Sequence, residues 1–338
     1  MKKDFSMWYT KFGPSGDTVL SSRVRLARNF SDIPFGNCMT DEHQKTVISR
    51  CREALPDMKF IDFSQMPPIE KQSLSECHLV SPAMAESQKH CGILVNNDCS
   101  SCIMLGEEDH IRIQSMAPGL NLDLCLKVAN DLDDRLEQKA DYAFHKDFGY
   151  LTQCPTNLGT GLRASVMMHL PSLTQSGRIE SIIRSLSKLG LAVRGLYGEG
   201  SQALGNIYQI SNQVTLGVTE EETLEKLNHL IADIIQKERD QSRLLYEQNR
   251  ISLEDKLMRS FGILTNARLL TSLETINLIS DVRWAINLGI ITNISLETLS
   301  SVFYSVLPAT ITKNHNISSA TERDLKRAEI VKDSLWAE

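Results

Sequence analysis

The chain has 338 residues, 41% of them hydrophobic and 23% charged, which is typical of a globular protein with about two domains. Its net charge of -6 argues against a general nucleic-acid-binding protein, since such proteins are normally basic, and suits arginine- or lysine-rich partners instead. No segment has the apolar length of a membrane-spanning helix or the apolar core of a signal peptide, so we expect a cytoplasmic protein without membrane association. The eight cysteines, with a single CxxC pair at Cys99 and Cys102, fit reduced thiols better than a disulfide scaffold or a zinc site.

Helix and strand patterns alternate at first and then give way to helices alone. Amphipathic helices are predicted over 41–54, 121–139, 178–189 and from 219 to about 259. Three prolines predict an irregular stretch over 55–72, and 207–216 predicts a hairpin or two short strands. Strand patterns disappear beyond about residue 250, and the remaining helices are predicted over 274–288, 295–306 and 321–335. We therefore predict one domain over 1–245 and an all-helical domain over 246–338.

Arginines recur at predicted strand ends and in the turns beside them. Arg23 and Arg25 alternate with Val24 and Leu26, so an extended segment puts both guanidinium groups on one face. Two like charges on one face repel each other unless an anion lies between them. A solvated strand edge is the alternative interpretation.

An acidic segment precedes the next arginine. It contains Glu107 and Glu108, and the alternation of apolar residues after it predicts that His110, Arg112 and Gln114 share one face. An ordinary acidic loop is the alternative interpretation.

A turn between two apolar runs brings a thiol close to a further arginine. Cys154 stands before Pro155, and the glycines at Gly159 and Gly161 lead into Arg163. A thiol and a guanidinium can share one pocket here, which would suit an anionic ligand. A buried cysteine and a surface arginine on either side of a loop are an equally good interpretation.

Together these residues could form a cradle for a polyphosphate. A second glycine-rich turn adds Arg194 and the carboxylate of Glu199. Arginine suits phosphate because its planar guanidinium binds two oxygens at once, and the carboxylates could hold a cationic acceptor. The sequence lacks a P-loop, and the Asp-Phe-Gly at 147–149 lacks the other protein-kinase motifs. From the residues alone, phosphoryl transfer is one of several options.

Four ordered segments resemble the phosphagen (guanidino) kinase superfamily, namely 21–25, 107–112, 154–165 and 194–199. The resemblance covers most of residues 18–240, and the Tyr-Gly-Glu-Gly-Ser turn, short N-terminus and helical tail resemble the bacterial protein-arginine kinase branch. It implies an α+β fold, in which helices flank an antiparallel sheet, followed by an all-helical C-terminal domain that serves dimerisation or regulation.

The resemblance also implies roles for individual residues. Glu108 and Glu199 would grip the acceptor guanidinium, and Cys154 would be the active-site thiol beside it. The implied ATP site comprises Ser21, Ser22, Arg23, Val24, Arg25, His78, Arg112, Arg163, Ala164, Ser165, Val166, Met167, Arg194, Gly195, Leu196, Tyr197, Gly198 and Glu199. The implied allosteric site for phosphoarginine comprises Arg323, Asp324, Arg327 and Ala328 of an RDxxRA element.

The activity implied is transfer of the γ-phosphoryl group of ATP to arginine side chains of proteins, in a stress response that marks proteins for degradation. Mg²⁺ would be held mainly by phosphates and water, with no protein ligands. Small-molecule members of the superfamily carry a helical domain before the first arginine motif, and its absence here favours a protein substrate. The implied partners are an activator protein, a stress-gene repressor, a Clp-type protease and a second copy of the chain in a homodimer.

Two positions depart from the pattern of the branch. Gly106 replaces an asparagine, and Gln202 replaces a glutamate near Glu199, which would weaken the binding of a cation without changing the class of reaction. A free-arginine kinase is the alternative enzyme. A catalytically weak regulator that binds phosphoarginine or nucleotide is the alternative without catalysis.

Overall fold

The computed structural model describes residues 7–87, 89–195 and 203–336. Its strands are β1 (Val19–Arg28), β2 (Lys59–Asp62), β3 (Gly92–Val95), β4 (Ser101–Leu105), β5 (Ile111–Pro118), β6 (Phe144–His145), β7 (Gly149–Tyr150), β8 (Leu162–His169), β9 (Leu191–Gly195) and β10 (Ile207–Asn212). Its α-helices are α1 (Asp41–Ala54), α2 (Pro68–Glu76), α3 (Pro82–Glu86), α4 (Leu122–Glu137), α5 (Pro171–Gln175), α6 (Ile179–Lys188), α7 (Glu220–Asn266), α8 (Ser272–Asn287), α9 (Leu296–Ser305), α10 (Pro308–His315) and α11 (Ala320–Trp336).

Eight of the described strands form one sheet in the order β2-β3-β4-β5-β1-β8-β10-β9, and each neighbouring pair is antiparallel. The central strand β1 pairs with β5 on one side and with β8 on the other. Helices flank the sheet and a helical region follows it, so the fold class predicted from the resemblance is confirmed.

The two faces of the sheet have different coverings. One face carries Val24 and Leu26, which are fully buried in the main core together with apolar residues of α1, α4, α6 and α7. The opposite face is covered over β3, β4 and β5 by a second apolar cluster that includes Trp8. Over β8 and β10 it is covered by Phe303 of α9, which packs against Met167. Arg23 and Arg25 lie on this second face, because their positions alternate with those of the core residues.

The long helix α7 runs from the main core to a separate helical core. Leu227 and Ile234 pack in the main core, whereas Leu257 packs with Trp284 and other apolar residues of α8 to α11. Between these two parts the backbone leaves helical geometry at Asn249, with φ of -136° and ψ of 40°. The division into domains at 245/246 stays a prediction, and the two cores on either side of Asn249 support it.

Three local predictions were wrong or incomplete, and two of them lie at prolines. The stretch 55–72 contains β2 and the first half of α2, and α10 was not predicted at all. Pro68 and Pro308 occupy the first turns of these helices, where the missing N–H of proline has no partner to lose. The segment 207–216 contributes one strand, β10, and not a hairpin.

None of the described helices is both long and apolar enough to cross a membrane.

Candidate active site

Strand pairing brings four of the predicted arginines together on one side of the sheet. Arg25 of β1 is paired with Arg163 of β8 and with Gln114 of β5, two residues after Arg112. Paired residues on neighbouring antiparallel strands project to the same side, and so do residues two apart in one strand. Arg23, Arg25, Arg112 and Arg163 therefore share one face, which we call the arginine face.

Arg194 lies on the same face but at the edge of the sheet. Gln209 of β10 pairs with Arg194 of β9 on one side and with Met167 of β8 on the other. Two strand spacings, about 10 Å, separate β8 from β9. A ligand that contacted Arg163 and Arg194 at once would therefore extend across the strands.

Positive charge is concentrated on the arginine face. Burial and the charges of Arg112 and Arg163 lower the pKa of Arg23 to about 10. Burial and the neighbouring arginines also lower the pKa of Arg25 well below its usual value. Among the described residues, Nε of Arg25 has no hydrogen-bond partner, whereas Arg112 forms ion pairs with Glu107 and Glu108. Bringing like charges together in this way favours the binding of a polyanion.

The two adjacent glutamates of the acidic segment hold Arg112 but differ in exposure. Glu107 pairs with the Arg112 guanidinium, accepts a hydrogen bond from the hydroxyl of Ser81 at 2.5 Å, and has a side chain that is only 8% exposed. Glu108 lies 2.8 Å from the same guanidinium and is 37% exposed. Glu108 is therefore the accessible carboxylate. The turn before the two glutamates has φ of 76° at Gly106. Glycine and asparagine both tolerate this conformation, so the presence of Gly106 in place of the asparagine of the branch is compatible with the turn.

A buried polar network joins the acidic segment to the turn that carries Cys154. Asp109 is 1% exposed and accepts hydrogen bonds from Nδ2 of Asn29 at 2.7 Å and from the backbone N–H of Gln153 at 2.8 Å. Cys154 directly follows Gln153, and its Sγ lies 3.0 Å from Oγ1 of Thr156. The hydrogen bond from Gln153 to Asp109 thus joins the turn of Cys154 to the segment that carries Glu108. Sequence reasoning missed Asn29 and Asp109 as site residues, because the burial of a polar side chain between distant segments leaves no local pattern.

His110 does not join the arginine face, so the prediction from alternation was wrong for this residue. Its Nδ1 accepts a hydrogen bond from the backbone N–H of Phe30, and its Nε2 lies 3.1 Å from the carbonyl oxygen of Pro34. His110 precedes β5 and lies outside the strand alternation, whereas Arg112 and Gln114 lie within β5.

His78 lies beside the arginine face, in the loop between α2 and α3. Its backbone has φ of 59°, and Nε2 of Gln114 donates a hydrogen bond to its carbonyl oxygen at 2.8 Å. Burial and the charge of Arg23 lower the pKa of the His78 ring to about 4, so the ring is neutral at neutral pH. A small hollow next to the ring is lined by Trp8, Ser21, Arg23, Met116, Ser165, Met167 and Gln209. Five of the predicted ATP contacts, Ser21, Arg23, His78, Ser165 and Met167, thus lie here.

Four predicted ATP contacts have side chains on the opposite side of the sheet. Ser22, Val24, Ala164 and Val166 are fully buried, and the hydroxyl of Ser22 donates a hydrogen bond to the carbonyl oxygen of Gly119. These side chains lie away from the arginine face because strand alternation directs every second residue into the core, and the assignment of the four residues to the ATP site stays a prediction. Gly195 ends β9, and the remaining predicted residues, Leu196, Tyr197, Gly198, Glu199 and Gln202, lie outside the described residues.

The RDxxRA element lies on α11, away from the arginine face. Arg327 is 1% exposed and donates hydrogen bonds to the carbonyl oxygens of Val306 and Leu270 and to Asp324, and Ala328 is also buried. Direct contact between a ligand and Arg327 or Ala328 is therefore excluded in this arrangement, because protein atoms surround both side chains. Arg323 is only partly buried.

The chain is similar to known proteins over both of its parts. Residues 39–241 match the family model described as ATP:guanido phosphotransferase, C-terminal catalytic domain, and residues 250–338 match the one described as Protein-arginine kinase McsB C-terminal domain. A protein-arginine kinase of Caldanaerobacter subterraneus subsp. tengcongensis is 45% identical over 328 residues, covering 94% of this chain and 97% of that protein. A protein-arginine kinase of Bacillus subtilis is 43% identical over 342 residues, covering 98% of this chain and 94% of that protein.

Solved structures of guanidino kinases share the fold. A crystal structure of lombricine kinase matches with a TM-score of 0.59 and 26% identity, covering 69% of each chain. The duplicated taurocyamine kinase from Schistosoma mansoni with bound transition state analog components matches with a TM-score of 0.60 and 26% identity, covering 76% of this chain and 40% of that chain.

Proposed function

Because the chain belongs to the protein-arginine kinase family of ATP:guanido phosphotransferases, we propose that it transfers the γ-phosphoryl group of ATP to arginine side chains of proteins. The observation that carries the proposal is the arginine face with the accessible carboxylate of Glu108 beside it. A guanidinium cluster suits the triphosphate, and a carboxylate suits a cationic acceptor.

The phosphates would lie on the guanidinium groups of Arg23, Arg25, Arg112 and Arg163, with Arg194 contributing from the edge of the sheet. These groups neutralise negative charge as it develops on the transferring phosphoryl group and on the leaving ADP. Mg²⁺ bound to the phosphates and water would add to this neutralisation when present. The His78 ring would contact the nucleoside, because it adjoins Arg23 beside the arginine face.

The acceptor nitrogen requires activation because a guanidinium is a poor nucleophile. In the proposed step this nitrogen attacks the γ-phosphorus, the bond from phosphorus to the ADP oxygen breaks, and the nitrogen loses one proton. Glu108 and Glu199 orient the acceptor, and one of them takes the proton as the P–N bond forms. Cys154 lies next to a residue that is hydrogen-bonded to the acidic segment, which supports its assignment beside the acceptor.

The remaining proposals concern assembly, regulation and location. Exposed apolar residues on α7 support a homodimer. In the RDxxRA element we assign the partly buried Arg323 to the binding of phosphoarginine, and Asp324, Arg327 and Ala328 would hold the element in place. All eight cysteines are free thiols, which supports a cytoplasmic location. From the family resemblance we also propose an activator protein, a stress-gene repressor and a Clp-type protease as partners in a stress response.

A labelling experiment tests the proposed function. The full-length protein is incubated with ATP labelled on the γ-phosphate and an arginine-rich protein, and in parallel with free L-arginine. We expect label on the protein that is released by acid, because a P–N bond is acid-labile whereas phosphoserine is stable. Efficient labelling of free arginine in place of the protein would support the free-arginine kinase instead. ATP binding without labelled product would support the regulator that lacks catalysis.

A further inference from the structure

The helical C-terminal region reaches the hollow beside His78 through one aromatic residue. Tyr304 of α9 is 8% exposed, and its ring centroid lies 4.1 Å from that of Tyr9. The ring also meets the His78 ring edge to face at a centroid distance of 6.5 Å. Tyr304 is close enough to Arg23 to contribute to the electrostatics of that guanidinium. A residue more than 200 positions away in sequence thus contacts the loop that borders the arginine face.

The preceding residue on α9 anchors the same helix to the sheet. Phe303 packs against Met167 and Ile207, which belong to β8 and β10. Met167 also lines the hollow beside His78. The position of Tyr304 relative to the hollow is therefore fixed by an apolar contact with the strand that carries Arg163.

A second contact fixes the loop of His78 from its other side. Glu76, at the end of α2 and two residues before His78, accepts hydrogen bonds from the backbone N–H groups of Ala309 at 2.8 Å and Thr310 at 3.0 Å. These groups belong to the first turn of α10, where a carboxylate compensates the unpaired N–H groups and the helix dipole. Helices α9 and α10 thus hold both the ring of His78 and the backbone that leads to it.

We propose that Tyr304 is a positioning residue for the nucleoside of ATP, so that the helical C-terminal region completes the nucleotide site of the first domain. Tyr304 acts by holding the His78 ring in place beside Arg23, while the arginine face binds the phosphates. This inference rests on the proposed function only for the identity of the nucleotide. It assigns to the C-terminal region a part in ATP binding that is separate from any site on α11.

Comparison of two ligands tests this role. Affinities of the full-length protein for Mg-ATP and for Mg-tripolyphosphate are measured for the wild type, Tyr304→Ala and Tyr304→Phe. Because one buried aromatic contact contributes about 1 kcal/mol, we expect Tyr304→Ala to weaken ATP binding about fivefold to tenfold. Tripolyphosphate has no nucleoside, so its affinity should change less than about twofold. Tyr304→Phe keeps the ring and should resemble the wild type.

Two outcomes would overturn the proposal. Unchanged ATP affinity in Tyr304→Ala would show that the ring does not act on the nucleoside. Equal weakening of both ligands would show a general disturbance of the arginine face. The ratio of the two affinities does not depend on the fraction of folded protein, and Tyr304→Leu provides a second variant if the alanine variant unfolds. Tyr246→Ala, an equal truncation on α7, is the matched control and should leave the ratio unchanged.

Failure of the proposed function would give a different result. A wild-type protein that binds ATP but does not phosphorylate arginine would contradict the proposed function, while the affinity ratio would still test Tyr304. Steady-state kinetics separate the two further. Tyr304→Ala should raise KM for ATP about fivefold to tenfold and leave KM for the arginine-containing protein unchanged.

Discussion

Glu107 and Glu108 are adjacent in sequence, but their surroundings assign them different tasks. The first is buried between Arg112 and Ser81, and the second remains accessible. We predict that Glu108→Gln lowers kcat by about 10²-fold to 10³-fold, because the amide cannot accept the proton, while the affinity for ATP changes less than twofold. Steady-state kinetics with an arginine-rich protein measure both quantities. Glu86→Gln, at an exposed position on α3, is the control, and a full rate in Glu108→Gln would remove this residue from the mechanism.

His78 gives the fold a predictable dependence on pH. Its pKa is lowered from 6.5 to about 4, so between these values the unfolded chain binds more protons than the folded protein. The contribution of His78 therefore lowers stability as the pH falls from 6.5 towards 4, and has no effect above that window. We predict that His78→Asn, which tolerates the positive φ, loses less stability between pH 7 and pH 5 than the wild type does.

Urea denaturation at the two pH values measures the difference in the free energy of unfolding. His229→Asn, at an exposed position on α7, serves as the matched control and should lose as much stability as the wild type. The same loss in His78→Asn as in the wild type would contradict the assignment of a buried neutral ring.

At the scale of elements, the central strand β1 combines a core face with the arginine face. Burial, followed by the charges of Arg23, Arg112 and Arg163 around it, lowers the pKa of Arg25. We predict that Arg25→Met raises the Tm of the ligand-free protein by about 2–4 °C, because the repulsion disappears while an apolar side chain remains. The same variant should lose most of the stabilisation that ATP confers on the wild type.

Differential scanning fluorimetry with and without Mg-ATP measures both effects of Arg25→Met. Arg184→Met removes an exposed arginine from α6 and should change neither quantity. A lower Tm in Arg25→Met without ligand would mean that the guanidinium stabilises the fold, contrary to the electrostatic argument.

For the whole molecule, α7 presents apolar side chains that the described residues leave exposed. Leu244, Ile251 and Met258 follow at seven-residue intervals and are 39%, 84% and 43% exposed. Ile251 and Met258, two turns apart in the part of α7 after Asn249, lie on one side of the helix and suit contact with a second copy of the chain. We predict that Ile251→Asp shifts a dimer to a monomer in sedimentation velocity. Ser301→Asp, at an exposed polar position on α9, should leave the dimer intact, and a wild-type monomer would contradict the proposal.

The sequence by itself determined the features that depend on short-range periodicity and on ordered motifs. Alternation in β1 placed Arg23 and Arg25 opposite Val24 and Leu26, and amphipathic patterns located most of the helices. The order of the four motif segments indicated the family, which the comparisons confirmed. These features were accessible because side-chain direction in a strand or helix repeats every few residues. Alternation also sends half of the side chains of the motif strands into the core, which a list of whole motif segments does not distinguish.

The tertiary structure alone decided which of these residues meet. The strand order placed Arg112 and Arg163 on either side of β1, whereas His110 is hydrogen-bonded to Phe30 and Asn29 away from the arginine face. The contact of Tyr304 with His78 and the burial of Arg327 join segments far apart in the chain. Such pairings depend on how the apolar faces of all elements are buried together. No local pattern encodes that arrangement, because it is a property of the packed molecule.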